Sequence, residues 1–214
     1  MSEDKKDRPT VSAVTAAVLH QLVPLLKIPA GRAALASLRQ SVGSSASAAV
    51  GILPFVYAQM PEDFIGSGAD LSHEEKAIIH SLQLFALHQQ GSSTCVWSGA
   101  DEETSDVGPT EASAAKRRPV TNMGDALKAL RQGNNKLAVD RRFNALITAT
   151  TYDELLHHLR QMIRLLRAKT NVTVDYPQLA NDLYWFSRGY EESLRLNWAR
   201  HYYRFDKKGQ DQDA

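Results

Sequence analysis

Cysteine is almost missing from this chain. Cys95 stands alone, so no internal disulfide can form, and a reducing compartment, the cytoplasm, is the expected setting. Long hydrophobic runs are missing too. No stretch of about eighteen apolar residues occurs, which excludes a membrane-spanning helix. Behind the mixed-charge opening MSEDKKDRP, no apolar stretch of signal-peptide type follows, so no targeting segment is expected. Strand signals are nearly lacking: nowhere does a sustained period-two alternation stand between turn residues.

The motifs of common catalytic sites are also missing. Neither G-x-x-x-x-G-K-[ST] nor G-x-G-x-x-G occurs, and Gly66-Ser67-Gly68 has no strand before it. The histidines at 20, 73, 80, 88, 157, 158 and 201 show no metal-type spacing such as H-E-x-x-H, and a set scattered in this way reads as surface. Cys95 falls in an aperiodic stretch that offers no preorganised nucleophile. The carboxylates of Asp101 to Glu103 and of Glu191-Glu192 suit a loop and a helix start. No metal, no cofactor and no enzymatic activity are expected.

What the chain does have is helical periodicity. Residues 10–27 place Val14, Val18, Leu22 and Leu25 on one side, with Pro24 disturbing the end. A short helix opens at Gly31-Arg32, and 43–60 is ambiguous. Ser72 and Glu75 form a capping-box pattern ahead of Ile78, Ile79, Leu82 and Phe85. Residues 92–120 lack periodicity and are rich in Ser, Thr, Gly and acid, which marks a linker or mobile insertion. Beyond it, Met123, Ala126, Leu127 and Leu130 mark a helix stopped at Gly133-Asn134, and Leu137 to Ala149 forms the next. Thr151 and Glu154 repeat the capping-box spacing before a stripe of Leu155, Leu159, Met162, Ile163 and Leu166. Asp175-Tyr176-Pro177 starts another helix, and a last one runs from about Gly189 to Phe205. The expected fold is all-α: a two-lobe helical bundle with an N-terminal lobe (1–91), a flexible inter-lobe segment (92–120), a basic C-terminal bundle (121–208) and a tail (209–214).

Charge divides the same way. Residues 1–115 carry 7 Lys/Arg against 13 Asp/Glu, whereas residues 116–208 carry 18 against 9. A basic half of this size is what a polyanion-binding surface looks like in sequence, although basic helical faces also occur on many soluble proteins. Arg160, Arg164 and Arg167 project within roughly 60° of one another on the long helix, away from its apolar stripe. No acid lies between Glu154 and Asp175 to balance them. Like charges so placed repel by a few tenths of a kcal/mol per pair, and an opposing row of phosphates relieves that repulsion. Arginine also offers the forked donors that phosphate accepts. Arg141, Arg142, Arg195, Arg200 and Arg204 add to the basic count, with Asp140 a candidate partner for Arg141 or Arg142. Trp198 and Tyr202 continue an apolar side from Leu194 and read as core rather than as a stacking platform.

Several runs together resemble a known family. Arg141-Arg142-Phe143 through Ile147, then Leu159-Arg160, then Asp175-Tyr176 with Leu179 and Asp182-Leu183, are similar to the C-terminal half of CasB proteins. The closing Trp198-Ala199-Arg200-x-Tyr202-Tyr203 looks like that family's W-A-R-x-F/Y-Y ending, and Gly31-Arg32-Ala33 with Leu38-Arg39 and Phe85 to His88 resemble its N-terminal pattern. The likeness covers about residues 30–90 and 120–205. Two departures stand out: a long 92–120 segment, and Asp125 where a basic residue sometimes occurs. The resemblance implies a non-catalytic small subunit of the type I-E Cascade complex of CRISPR antiviral defence. It implies contact with guide RNA, with target and displaced DNA, and with the backbone and large Cascade subunits, and self-association as a dimer. By match, Arg39, Arg141, Arg142 and Arg160 fall on positions where the family tends to be basic; helical geometry adds Arg164 and Arg167, and Arg200 joins the candidate nucleic-acid contacts from the basic C-terminal segment. The competing readings are a helical adaptor with a basic face for an acidic protein, and an enzyme using Cys95 or the histidines.

Overall fold

The computed structural model describes residues 9–43, 50–68, 70–100, 122–132 and 135–204. Among them stand nine α-helices: α1 (Val11–Leu22), α2 (Pro29–Gln40), α3 (Leu53–Tyr57), α4 (His73–Gln89), α5 (Met123–Lys128), α6 (Lys136–Ile147), α7 (Tyr152–Lys169), α8 (Tyr176–Ser187) and α9 (Glu191–Tyr203). Lys116 to Arg118, the helix stop at Gly133-Asn134 and the tail lie outside the described residues.

Local chemistry sets the boundaries. Thr10, Ser72, Thr151 and Asp175 each accept a bond from an amide in the first turn of the helix they start. The Ser72–Glu75 capping box is complete, and Glu75 also receives the Tyr57 hydroxyl at 2.8 Å and the Gly66 amide at 3.1 Å. Burial works against the Glu75 charge, yet the donors from Ser72, Tyr57 and Gly66 hold its carboxyl below the usual range. At α7 the box is only half made. Thr151 caps the Glu154 amide, while the Glu154 carboxylate turns to the amide and hydroxyl of Thr150. Pro24 ends α1 as expected, converting the chain to a 3₁₀ turn over Val23–Lys27.

The centre of the fold is α4, which packs on α1, α2, α7 and α8. It is buried on nearly all sides, so its polar residues are buried with it. Reading all the histidines as surface groups is corrected here: His80 bonds the Tyr152 hydroxyl at 3.1 Å, and His88 bonds the Tyr176 hydroxyl at 2.9 Å. Ser81 donates to the Tyr176 carbonyl, and Gln83 donates to Ser41. Each buried polar group on this helix thus meets a partner on another element.

Helices from both halves enclose one apolar cluster, in which α1 and α4 both lie against α8. Residues 92–100, in the aperiodic stretch, carry Val96 and Trp97 into that cluster. Val174 donates to the Val96 carbonyl at 2.8 Å and accepts from the Ser98 amide at 3.1 Å, the one β-type pairing among the described residues.

Helices α5 and α9 approach so closely that a Cβ built on Gly124 would stand 2.2 Å from the Trp198 carbonyl oxygen. Alanine there gains about 1 kcal/mol of helix propensity. A backbone oxygen cannot swing aside as a side chain can, so the clash wins. Gly124→Ala is expected to lower unfolding free energy by about 2 kcal/mol, read as a reduced urea midpoint at unchanged slope.

Candidate nucleic-acid interface

The apolar stripe of α7 lies in the core, with Leu155, Leu159, Ile163 and Leu166 fully buried and Met162 nearly so. The opposite face carries the arginines. Helices α4 and α7 run in the same direction along their seam, since Tyr152 meets His80 near one end and Arg167 meets Leu87 and Gln90 at the other. Arg160 is half-buried and Arg164 is exposed. Arg167, exposed over most of its length, donates to the Leu87 carbonyl at 3.3 Å and to the Gln90 side-chain oxygen. A cation at the C-terminal end of α4 also meets the negative end of that helix dipole. Desolvation, reinforced by the like charge of Arg164 and opposed by Asp153, lowers the pKa of Arg160, which stays charged. Among the described residues no ion pair neutralises Arg160, Arg164 or Arg167.

The other predicted contacts are distributed differently. Arg39 sits in the last turn of α2. Four residues on, a Cβ on Gly43 would lie 4.0 Å from a terminal nitrogen of Arg160, so the end of α2 borders the α7 row. Arg141 and Arg142 are exposed on α6, which packs on α7; Arg142 reaches only the Ala138 carbonyl at 3.4 Å. Arg200 is exposed on α9, whose main packing is against α5 and α8, away from the α4–α7 seam. The structure therefore brings Arg160, Arg164 and Arg167 together and sets the α2 terminus beside them. It does not bring Arg200 there.

Pairing of Asp140 with Arg141 or Arg142 is corrected. Asp140 is taken by a forked contact from Arg131, at 2.7 and 3.3 Å, and by the Tyr202 hydroxyl at 2.7 Å. Two further bases are also occupied: Arg204 approaches Asp125 at 3.5 Å, and Arg195 donates to the Ala149 carbonyl at 2.6 Å. Asp125 receives both Arg204 and His201, so the acid that departs from the family pattern is matched by bases of α9 and the residue after it.

Most aromatic and acidic motif residues prove to hold the fold. Trp198 is fully buried and donates to Asp182 at 2.7 Å. Burial pushes the Asp182 carboxyl up to about 6, against the pull of its bonds from Trp198 and Gln178. Tyr202 is fully buried and stacks on Phe143 at 3.6 Å. Tyr202→Phe keeps that stack but removes a donor from Asp140, which retains Arg131. A loss of about 1 kcal/mol in thermal or urea unfolding is expected.

Residues 34–203 match the family of the CRISPR-associated protein Cse2. The chain belongs to the Cse2 family. Crystal structures agree with the assignment. CasB from Thermobifida fusca shares 23% identity at a TM-score of 0.67, over 91% of this chain and 98% of that one. M. ruber CasB shares 21% at 0.61, over 92% and 94%. A Cse2-family protein of Thermus thermophilus shares 25% at 0.54, over 88% and 97%. No match is found among the curated proteins. The CasB likeness read from the motifs is thus borne out, as is the all-α fold.

Among the described residues of this Cse2-family chain, no group of three His, Cys, Asp or Glu is arranged to hold a metal ion, and no helix is long and apolar enough to cross a membrane. Lys76 was missed by sequence reasoning. It lies close enough to His80 for its charge to act there, as does Arg160. Lys76 stands four residues before His80 on α4, a spacing visible in the sequence, whereas only the α4–α7 packing brings Arg160 to the same imidazole.

Proposed function

We propose that this chain is a non-catalytic small subunit of a CRISPR RNA-guided Cascade complex, working in the cytoplasm and holding nucleic-acid backbone along the α7 face. The observation that carries this reading is the contrast between two sets of arginines. Arg131 and Arg204 have carboxylates, whereas Arg160, Arg164 and Arg167 share one face with no acid in an ion pair with them among the described residues, Arg167 meeting only the uncharged oxygens of Leu87 and Gln90. Phosphates spaced along a strand supply the missing negative charge without any reading of bases. Arg39 at the neighbouring α2 terminus and Arg141 and Arg142 on α6 extend the contact. Arg200 belongs to a separate part of the surface, where it serves a second strand or a neighbouring subunit. Guide–target pairing then carries sequence selection, and this subunit steadies the paired and displaced strands.

Affinity purification of the tagged chain from its native host tests the assignment. Co-elution of a small guide RNA with the backbone and large Cascade subunits, and with a second copy of the chain, is the expected result. Recovery of one acidic protein without RNA would replace this reading with the adaptor.

A further inference from the structure

A surface of opposite chemistry lies at the other end of α4 from Arg167. His73, the first residue of α4, shares a hydrogen bond with Ser187 at 2.8 Å, so the start of α4 meets the end of α8. Just past α8 the chain reverses through Gly189, which takes the left-handed conformation at φ +85°. The Gly189 amide donates to the Phe186 carbonyl at 3.1 Å, and the Tyr190 amide donates to the Trp185 carbonyl at 3.0 Å. Such a C-terminal cap brings together the residue after the glycine and the residue five before it. The side chains follow the backbone. Trp185 and Tyr190 meet edge to face at 5.0 Å, and Tyr184 meets Trp185 in the same way at 5.1 Å.

The cap needs no more than a contact between Trp185 and Tyr190. Both rings nonetheless stay open to solvent, Trp185 at 43% and Tyr190 at 56%. Their placement is set by backbone bonds already made, so a ligand on them has little ordering to oppose it. The charges beside them are mostly negative. Glu191 and Glu192 follow Tyr190 in the first turn of α9, and no base forms an ion pair with them among the described residues. Burial and then the charge of Glu74 raise the Tyr184 phenol, which sets Glu74 near that ring, and Arg188 acts on the same phenol in the opposite sense. Three carboxylates thus stand by these rings against one guanidinium. A nucleic-acid strand is repelled by that setting, whereas a cation is drawn to it. The faces of Trp and Tyr are electron-rich, and planar arginine is the side chain that most often lies on them.

We infer that the Trp185–Tyr190 surface docks a partner protein through an arginine, its guanidinium on the exposed indole and its charge answered by Glu191 and Glu192. The surface uses no residue of the α7 row, so it holds or fails independently of the proposed backbone contact.

The test titrates an acetylated tetrapeptide amide of alternating leucine and arginine into the isotope-labelled full chain, with citrulline in place of arginine as the uncharged control. Of the three tryptophans, Trp97 and Trp198 are buried, so the Trp185 indole signal reports on the surface. The arginine peptide is expected to move that signal and the Tyr190 amide saturably, and the citrulline peptide to bind about tenfold more weakly. Glu191→Gln with Glu192→Gln, which keeps the volume and removes the charge, should weaken the arginine peptide about fivefold. Trp185→Leu should weaken it about tenfold while leaving the affinity of the chain for DNA as it was. Equal binding of the two peptides, or an unchanged affinity in the glutamine variant, would overturn the recognition of a cation. A fall in DNA affinity on Trp185→Leu would put a strand on these rings instead of a protein, and an unmoved Trp185 signal would overturn the site.

Discussion

Replacing Arg160, Arg164 and Arg167 together by Glu is expected to abolish retention of DNA by this Cse2-family chain, with affinity falling more than about a thousandfold. The change turns three positive charges on one helix face into three negative ones while leaving the apolar stripe untouched. Arg164 is exposed and has no partner to lose among the described residues. Arg167→Glu forfeits the contacts to Leu87 and Gln90 at the end of α4, and sets a negative charge against those carbonyls, at a cost of about 1 to 2 kcal/mol. Far-ultraviolet dichroism should therefore stay helical while binding disappears. Binding that survives the reversal would place the nucleic-acid contact elsewhere.

Acid should unfold the protein through its centre. Burial pushes the imidazoles of His80 and His88 down to about 4, aided by the charges of Arg160 and Arg167 respectively. Both groups are protonated in the unfolded chain below about 6.5 but stay neutral in the fold until about 4. The unfolded state thus binds more protons in that window, and stability falls as pH drops through it. Each histidine accounts for about 3 kcal/mol of that loss. Asp182 acts in the opposite sense. Its folded carboxyl is raised to about 6, so the stability it adds is present at low pH and is lost as pH rises through that value. Two histidines outweigh one aspartate, and the net change is a loss of about 3 kcal/mol between neutrality and pH 4. His88→Gln should remove one histidine's share and flatten the profile of urea midpoint against pH. An equally steep profile in the variant would show that the imidazole is not the titrating group.

The sequence carried most helices legibly because they are written locally; α3, inside the ambiguous 43–60 stretch, was the exception. Ser72, Thr151 and Asp175 announce starts, and the α7 stripe is a period that tertiary context had no reason to override. Burial of α4 on all sides was illegible. His80, Gln83 and His88 look like a solvated face until Tyr152, Ser41 and Tyr176, distant in the chain, arrive as partners. The same distance hid the ion pairs. Arg131 with Asp140 crosses a helix turn, and Asp125 with Arg204 joins residues 79 positions apart, so no i,i+4 rule finds them. The row of Arg160, Arg164 and Arg167 was legible because it lies on one helix. Its neighbours at the α2 terminus and on α4 required the packed structure.

Direct contact between the α7 guanidinium groups and phosphates is measured most closely by the salt dependence of binding. Affinity for an oligothymidylate should be followed over a series of salt concentrations for the native chain and for the Arg160→Gln, Arg164→Gln, Arg167→Gln variant. Loss of three phosphate contacts on a single strand should make the slope of log affinity against log salt shallower by about 2. An unchanged slope with unchanged affinity would mean that no strand lies along this face.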